Sequence, residues 1–111
     1  MLDLEKTKAE IDQIVKTILC AVPALEIYLF GSFANGTARE DSDYDFYVVI
    51  PDEGMRTRQA TWEIRYALPD SIVSSRPIDM LVGTKSKFDK YKTSLSFVEK
   101  EVARTGVKLY G

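Results

Sequence analysis

The residues best equipped for chemistry are three aspartates and a glycine-serine pair. Ser42-Asp43-Tyr44-Asp45 leads without a break into the apolar run Phe46-Tyr-Val-Val-Ile50. In a strand, residues two apart face the same way, so Asp43 and Asp45 are expected to project together, roughly 7 Å apart. Two ionised carboxylates on one face repel each other and raise the proton affinity of the site. A divalent cation removes that conflict, and hard Mg²⁺ accepts carboxylate oxygens, waters and substrate phosphates. A merely solvated strand start would scatter its charge and would not need an apolar strand directly behind the pair. Asp79 stands alone in a second apolar run, Ile78-Asp-Met-Leu-Val82. Ile78, Met80 and Val82 share one face there, so Asp79 and Leu81 point the other way. A carboxylate in mid-strand is costly unless it is paired, holds a metal or lies on an exposed face. Gly31-Ser32 closes a third β-prone run. Glycine permits a tight strand-to-helix turn, and a short helix starting at Ser32 points amides outward, able to hold a phosphate with the hydroxyl as an extra donor. Alone, this dipeptide is an ordinary turn.

Together these pieces describe a phosphate-holding turn, a metal-binding carboxylate pair and a third carboxylate, an arrangement suited to two metal ions. One ion would hold a triphosphate and the other would lower the pKa of an attacking hydroxyl, whose proton could pass to Asp79 or to water. Two look-alikes fail. Asp41-Ser-Asp43-Tyr-Asp45 imitates the start of an EF-hand loop but continues with Phe46 in place of the required glycine. Gly31 and Gly36 have Walker-type spacing, but Thr37 and Ala38 stand where Lys and Ser/Thr are needed.

Composition narrows the chemistry further. The 111 residues contain no histidine, which excludes a Ser-His-Asp triad, a Cys-His dyad and a His-ligated zinc. A single cysteine, Cys20, excludes an internal disulfide and fits a reducing, cytoplasmic setting. Fifteen basic against seventeen acidic residues leave a formal charge of −2, which argues against a strongly basic nucleic-acid-binding face. No apolar run approaches the ~20 residues of a membrane helix, and no signal-peptide core follows Met1.

The elements that must position these residues follow from periodicity and turn residues. Residues 3 to 21 read as a helix, with Leu4, Ile11, Ile14, Val15, Ile18 and Leu19 at helical spacing, Asp3 as N-cap and Pro23 beyond its end. Strands are expected at 25–30, 44–50 and 77–82, with a short fourth at 107–110. A polar loop runs from Thr37 to Ser42. A helix over 55–68 carries Ala60, Ile64, Ala67 and Leu68 in one stripe, with Trp62 and Tyr66 beside it, and Pro69-Asp70 breaks it. A short helix or turn over 85–92 and a helix with Leu95, Val98 and Val102 on one face complete the order α-β-α-β-α-β-α-α-β. With no repeat or linker, residues 1–111 read as one domain of α+β class, a mixed sheet with helices packed against it and an αβαβαβ core.

Gly31-Ser32, Gly36 and Ser42-Asp43-Tyr-Asp45, followed by apolar residues, resemble the Gly-Ser…Gly…Ser-Asp-x-Asp signature of the DNA polymerase β-like nucleotidyltransferase superfamily. Asp79 falls where that superfamily places its third carboxylate. The size of the chain and its ending, Gly106-Val-Lys-Leu-Tyr110, are similar to the minimal nucleotidyltransferases. The resemblance spans nearly the whole chain. It implies that Asp43, Asp45 and Asp79 are the catalytic carboxylates and metal ligands. It further implies that Gly31, Ser32 and Ser42 lie on the nucleotide and that the cofactor is Mg²⁺, as two ions. Phe33 and Asn35 depart from the pattern, since many minimal members carry arginine at one or both positions. Arg39, or the cluster Lys85, Lys87, Lys90 and Lys92, could supply the missing charge, although a lysine cluster is commonly a solvated helix face.

The implied reaction is transfer of a nucleoside monophosphate, AMP from ATP, to an acceptor hydroxyl with release of pyrophosphate. Minimal members often pair with helical HEPN-type proteins as toxin–antitoxin systems, which implies a partner protein as acceptor. A chain of this length has no second domain to hold an acceptor over the metals. Trp62, Tyr66, Phe88 and Tyr91 are candidate contacts for that partner, with core packing the expected role of Trp62. The competing reading is a catalytically weak or inactive antitoxin module that works by binding its partner.

Overall fold

The computed structural model describes residues 2–94 and 97–111. In chain order the elements are α1 (Leu4–Ala21), β1 (Glu26–Phe30), α2 (Ser32–Asn35), β2 (Tyr44–Ile50), α3 (Thr57–Ala67), α4 (Asp70–Val73), β3 (Ile78–Thr84), α5 (Lys85–Tyr91), α6 (Val98–Thr105) and β4 (Val107–Tyr110). They build an α+β fold around one four-stranded sheet of order β3-β2-β1-β4. β1 pairs antiparallel with both β2 and β4, while β2 pairs parallel with β3, so the sheet is mixed as expected. The antiparallel step from β1 to β2 needs only a local loop. The parallel step to β3 needs a crossover, which α3 and α4 provide.

The central strand shows why the layers form. Tyr44, Phe46, Val48 and Ile50 face one way and join Ile14 and Ile18 of α1 and Ala60 and Ile64 of α3. Tyr47 and Val49 face the other way and join Phe88 of α5 and Val102 of α6. A strand covered on both faces must be apolar nearly throughout, which accounts for the continuous run in the sequence. Asp45 is the exception, a half-buried carboxylate between two fully buried aromatics.

Hydroxyl–carboxylate hydrogen bonds lock the two layers. Tyr44 donates to Glu10 of α1 at 2.7 Å, and Tyr47 donates to Glu99 of α6 at 2.7 Å. Both glutamates are buried, and each phenol gives its carboxylate the partner that burial demands. Desolvation, then the bond to the carboxylate, raises both tyrosine pKa values, so the phenols stay protonated donors. The Tyr47 hydroxyl reaches Glu99 past β3 only because residue 83 has no side chain, since a Cβ there would lie 2.0 Å from that hydroxyl.

Several boundaries differ from the sequence reading. Asp3 does cap α1, accepting from the Lys6 amide at 3.1 Å. β2 spans 44–50 as expected, so Asp43 lies just before it and outside the strand alternation that pairs it with Asp45 in the sequence. Tyr44 is the first residue held in the ladder, donating its amide to the Pro77 carbonyl at 3.0 Å. Pro69 ends α3, but the chain resumes at once as the one-turn α4, in which the Ile72 and Val73 amides bond to the Pro69 carbonyl. β3 continues through Gly83 to Thr84. Leu95 lies outside the described residues. Trp62 is not a core residue: it is 64% exposed and Tyr66 85% exposed on the outer face of α3. Phe88 is the reverse, stacked at 5.3 Å on Tyr28 in the core and withdrawn from any contact surface.

Gly83→Ala should destabilise the fold by about 1–3 kcal/mol, the usual cost of forcing a methyl group into a filled site. Urea unfolding measures this. The loss should shrink when Gly83→Ala is placed in a Tyr47→Phe background, where the obstructing oxygen is gone.

Candidate active site at the head of β2 and β3

Three segments meet at one end of the sheet. Phe30, the last residue of β1, lies opposite Asp45 in the antiparallel register, and Asp45 lies opposite Asp79 in the parallel one. The chain leaves β1 through Gly31 at φ +72° and ψ −152°, a conformation that strains any residue with a Cβ. Space imposes a second requirement, because a Cβ on residue 31 would lie 2.2 Å from Oδ2 of Asp45. Glycine therefore both turns the chain and leaves room for the carboxylate beside the turn. The Ala34 and Asn35 amides donate back to the Gly31 carbonyl at 3.1 Å each and close the single turn of α2, which starts at Ser32.

The electrostatics match the crowding. Burial pushes the Asp45 carboxyl up to about 6, helped by its hydrogen bond to Asp79 and by the negative charges of Asp79, Asp43 and Glu101. Asp79 is exposed and Asp43 half-buried, so the three predicted carboxylates differ in access to water. Asp45 senses both of the others, which brings the three sequence-predicted acids into one electrostatic neighbourhood. Among the described residues, however, no three His, Cys, Asp or Glu side chains form a ready-made metal-binding group. The donor set is still right for Mg²⁺, being hard carboxylate oxygens whose repulsion a cation would relieve.

The loop before β2 is ordered by polar contacts. Asn35 accepts from both the amide and the hydroxyl of Thr37 at 3.2 and 2.6 Å. The Ser42 hydroxyl oxygen accepts from the Arg39 amide at 2.8 Å, and the Ser42 amide donates to the Arg39 carbonyl. Ser42 thus closes the turn that delivers Asp43, and its hydroxyl proton remains available to a ligand. Arg39 stays exposed on this loop.

The lysine cluster is elsewhere. Lys85 follows the last residue of β3 and bonds Glu26, the first of β1, at 3.1 Å, and Asp89 at 3.0 Å. That is the opposite end of the sheet, about 16 Å from Asp45 by five strand steps. Lys92 is also tied to Asp89, at 3.2 Å. Lys85 and Lys92 therefore do not replace the absent arginines. Two residues at the site were not singled out from sequence, Glu101 and Arg76. Glu101 belongs to a helix remote in sequence from both strands, and Arg76 to the irregular stretch between α4 and β3, so no periodicity marks either.

A pH dependence follows with a definite sign. The folded-state pKa of Asp45 lies above its ordinary value of 3.8. Its contribution to stability is therefore largest where it is protonated and is lost as pH rises from about 4 through about 6. Asp45→Asn should melt at a higher temperature than wild type at roughly pH 7, and the gap should close near pH 4. Calorimetric melting across that range measures it.

Comparison with known proteins agrees with the geometry. The profile of the nucleotidyltransferase domain family matches residues 8–107. A solved toxin–antitoxin structure with AMP-PNP is 26% identical, with a TM-score of 0.62 over 90% of this chain and 72% of its own. A chain provisionally assigned as a minimal nucleotidyltransferase is 24% identical, with a TM-score of 0.65 over 96% of this chain and 95% of its own. A chain from Sulfolobus solfataricus, provisionally assigned as a nucleotidyltransferase, is 20% identical, with a TM-score of 0.60 over 90% and 76%. The last two likenesses bear on the fold alone. No sequence match to a curated protein was found. With the family profile covering most of its length and the Gly-Ser turn seated against the carboxylate strand, this chain belongs to the nucleotidyltransferase domain family.

Proposed function

We propose that residues 1–111 act as a single Mg²⁺-dependent nucleotidyltransferase domain that moves AMP from ATP to a hydroxyl on a partner protein, as the antitoxin of a toxin–antitoxin pair. The observation that carries this reading is the fit of Gly31 against Asp45, with Asp79 directly across the parallel ladder. A glycine turn set against two carboxylates at one strand end has no use in packing and carries a cost in repulsion. Bound Mg²⁺ would neutralise the triphosphate and acidify the acceptor hydroxyl. Asp43, Asp45 and Asp79 would hold it, through their carboxylate oxygens.

The chain's own residues do the rest. The turn at Gly31 and Ser32 receives the triphosphate, and the Ser42 hydroxyl proton can reach the nucleotide from the loop. The acceptor oxygen attacks the α-phosphorus, the bond to the pyrophosphate oxygen breaks, and pyrophosphate leaves with that electron pair. The acceptor proton passes to Asp79, which is open to solvent, or to water.

The partner reading draws on the toxin–antitoxin neighbour and on α3. Trp62 and Tyr66 stand exposed with Arg58, Thr61 and Arg65 around a groove of about 510 Å³. Aromatic and arginine side chains are the usual anchors of protein interfaces, and a helical HEPN-type toxin is the proposed occupant. If the site proves inert, this same face supports the second reading, an antitoxin that acts by binding alone. Among the described residues, no helix is long and apolar enough to cross a membrane. A cytoplasmic location is part of the proposal.

Asp43→Asn combined with Asp45→Asn should abolish Mg²⁺-dependent ATP binding by calorimetry, and unchanged affinity would contradict the site. Asp79→Asn should slow transfer by roughly 10² or more with a smaller effect on ATP binding. Wild-type transfer rates in that variant would remove Asp79 from the chemistry. Mass spectrometry of the chain mixed with its partner and Mg·ATP should reveal an added adenylyl group on the partner. Efficient modification of a small-molecule hydroxyl by the isolated chain would refute a protein acceptor.

A further inference from the structure

Arg76 sits between α4 and β3, two residues before the strand that carries Asp79, yet its guanidinium reaches across to the loop in front of β2. Its Nη1 donates to three backbone carbonyls, those of Arg39 at 3.2 Å, Glu40 at 2.7 Å and Ser42 at 2.7 Å. The same group lies over the Phe33 ring at 5.1 Å and the Tyr44 ring at 5.4 Å. Those two rings are themselves in contact, with centroids 4.8 Å apart. The Nε atom is buried and has no hydrogen-bond partner among the described residues.

Each partner borders a site residue. Phe33 follows Ser32 in α2. Ser42 and Tyr44 flank Asp43, and the Tyr44 amide is held by the Pro77 carbonyl next to Arg76. One side chain therefore ties the glycine turn, the loop delivering Asp43 and the approach to Asp79. Beside the Arg39–Ser42 contacts within the loop, its carbonyls at residues 39, 40 and 42 converge on this one guanidinium, outside any helix or ladder. Convergent carbonyls repel one another, and only a donor with several protons and a full positive charge satisfies them together. A planar guanidinium does this while stacking on the rings. A lysine ammonium, compact and strongly hydrated, would not do both.

We propose that Arg76 is a positioning residue of the active site, clamping the 39–42 backbone so that Asp43 and Ser32 are held in register with Asp45. This rests on the site assignment made under Proposed function. Phe33, in the turn after Ser32, is one of the two rings on which the Arg76 guanidinium lies.

The test compares full-length wild type, Arg76→Lys, Arg76→Ala and Asp43→Asn in two measurements, amide hydrogen exchange over residues 37–43 and calorimetric binding of Mg·ATP. Both Arg76 variants should exchange loop amides about tenfold faster or more, and bind Mg·ATP about tenfold more weakly, the usual range for loss of an outer-shell support. Exchange in α1 and β1 should stay at wild-type values, which separates loosening of the loop from global destabilisation. Arg76→Lys matching wild type in both measurements would overturn the proposal, since charge alone would then suffice. Unchanged loop exchange would overturn it as well. Faster exchange with unchanged Mg·ATP affinity would overturn the positioning role while leaving the site intact, provided Asp43→Asn weakens binding. Absence of Mg·ATP binding by wild type would defeat the site reading, and this inference with it.

Discussion

The parallel pairing of β2 with β3 sets Asp45 across from Asp79 and commits the molecule to two neighbouring carboxylates at one strand end. Nothing in packing calls for that arrangement. Asp45 interrupts the most buried strand of the sheet, and burial together with Asp79 holds its carboxyl near 6, far above the value of a free aspartate. The fold carries that cost at one point while satisfying its other buried acids with tyrosine hydroxyls, which supports the proposal that charge is received there. Glu10 and Glu99 have their phenols. Asp45 instead has three acidic neighbours and a glycine that makes room for it.

The rest of the chain can be understood as support for that strand end. α3 and α4 provide the crossover that makes β3 parallel, and α1 and α3 seal the face beneath Tyr44 and Phe46. On the other face, Gly83 lets Tyr47 reach Glu99 and so fastens α6, whose Glu101 adds to the negative potential at Asp45. The opposite end of the sheet is tied by ordinary ion pairs, with Glu26 bonding both Lys85 and Lys108. Those pairs are partly exposed and contribute modestly. The asymmetry between a neutralised end and an acidic end is the clearest functional feature of the fold.

Much of this was legible in the sequence. Apolar β-prone runs located the strands, Asp3 announced the start of α1, and the alternation around Asp79 set it on the face away from Ile78, Met80 and Val82. Alternation leaves the exposure of Asp79 open, and the structure shows it exposed. The Gly-Ser and Ser-Asp-Tyr-Asp segments do meet at one end of the sheet, where Gly31 lies against Asp45. What was not legible depends on contacts between distant segments. The strand at 44–50 is legible, but the alternation that pairs Asp43 with Asp45 does not extend to Asp43, since the ladder begins at Tyr44, whose amide bonds Pro77 over thirty residues later. The stripe on α3 left Trp62 beside the core, but only Ala60 and Ile64 of that helix are buried, and Trp62 stands exposed on its outer face. The lysines of α5 were adjacent to β3 in sequence yet belong to its far end. Arg76 had no pattern to betray it, since its partners are backbone carbonyls supplied by another loop.

The central claim, that Asp45 and its neighbours exist to receive a cation with a nucleotide, is tested most directly by proton release. Titration calorimetry of Mg·ATP into the protein at roughly pH 6, repeated in buffers of differing ionisation heat, counts the protons set free on binding. A cation at the carboxylates should expel the proton that Asp45 holds, giving metal-dependent binding with net proton release that disappears in Asp45→Asn. Binding that is indifferent to Mg²⁺, or that releases the same protons without the Asp45 carboxyl, would contradict the claim.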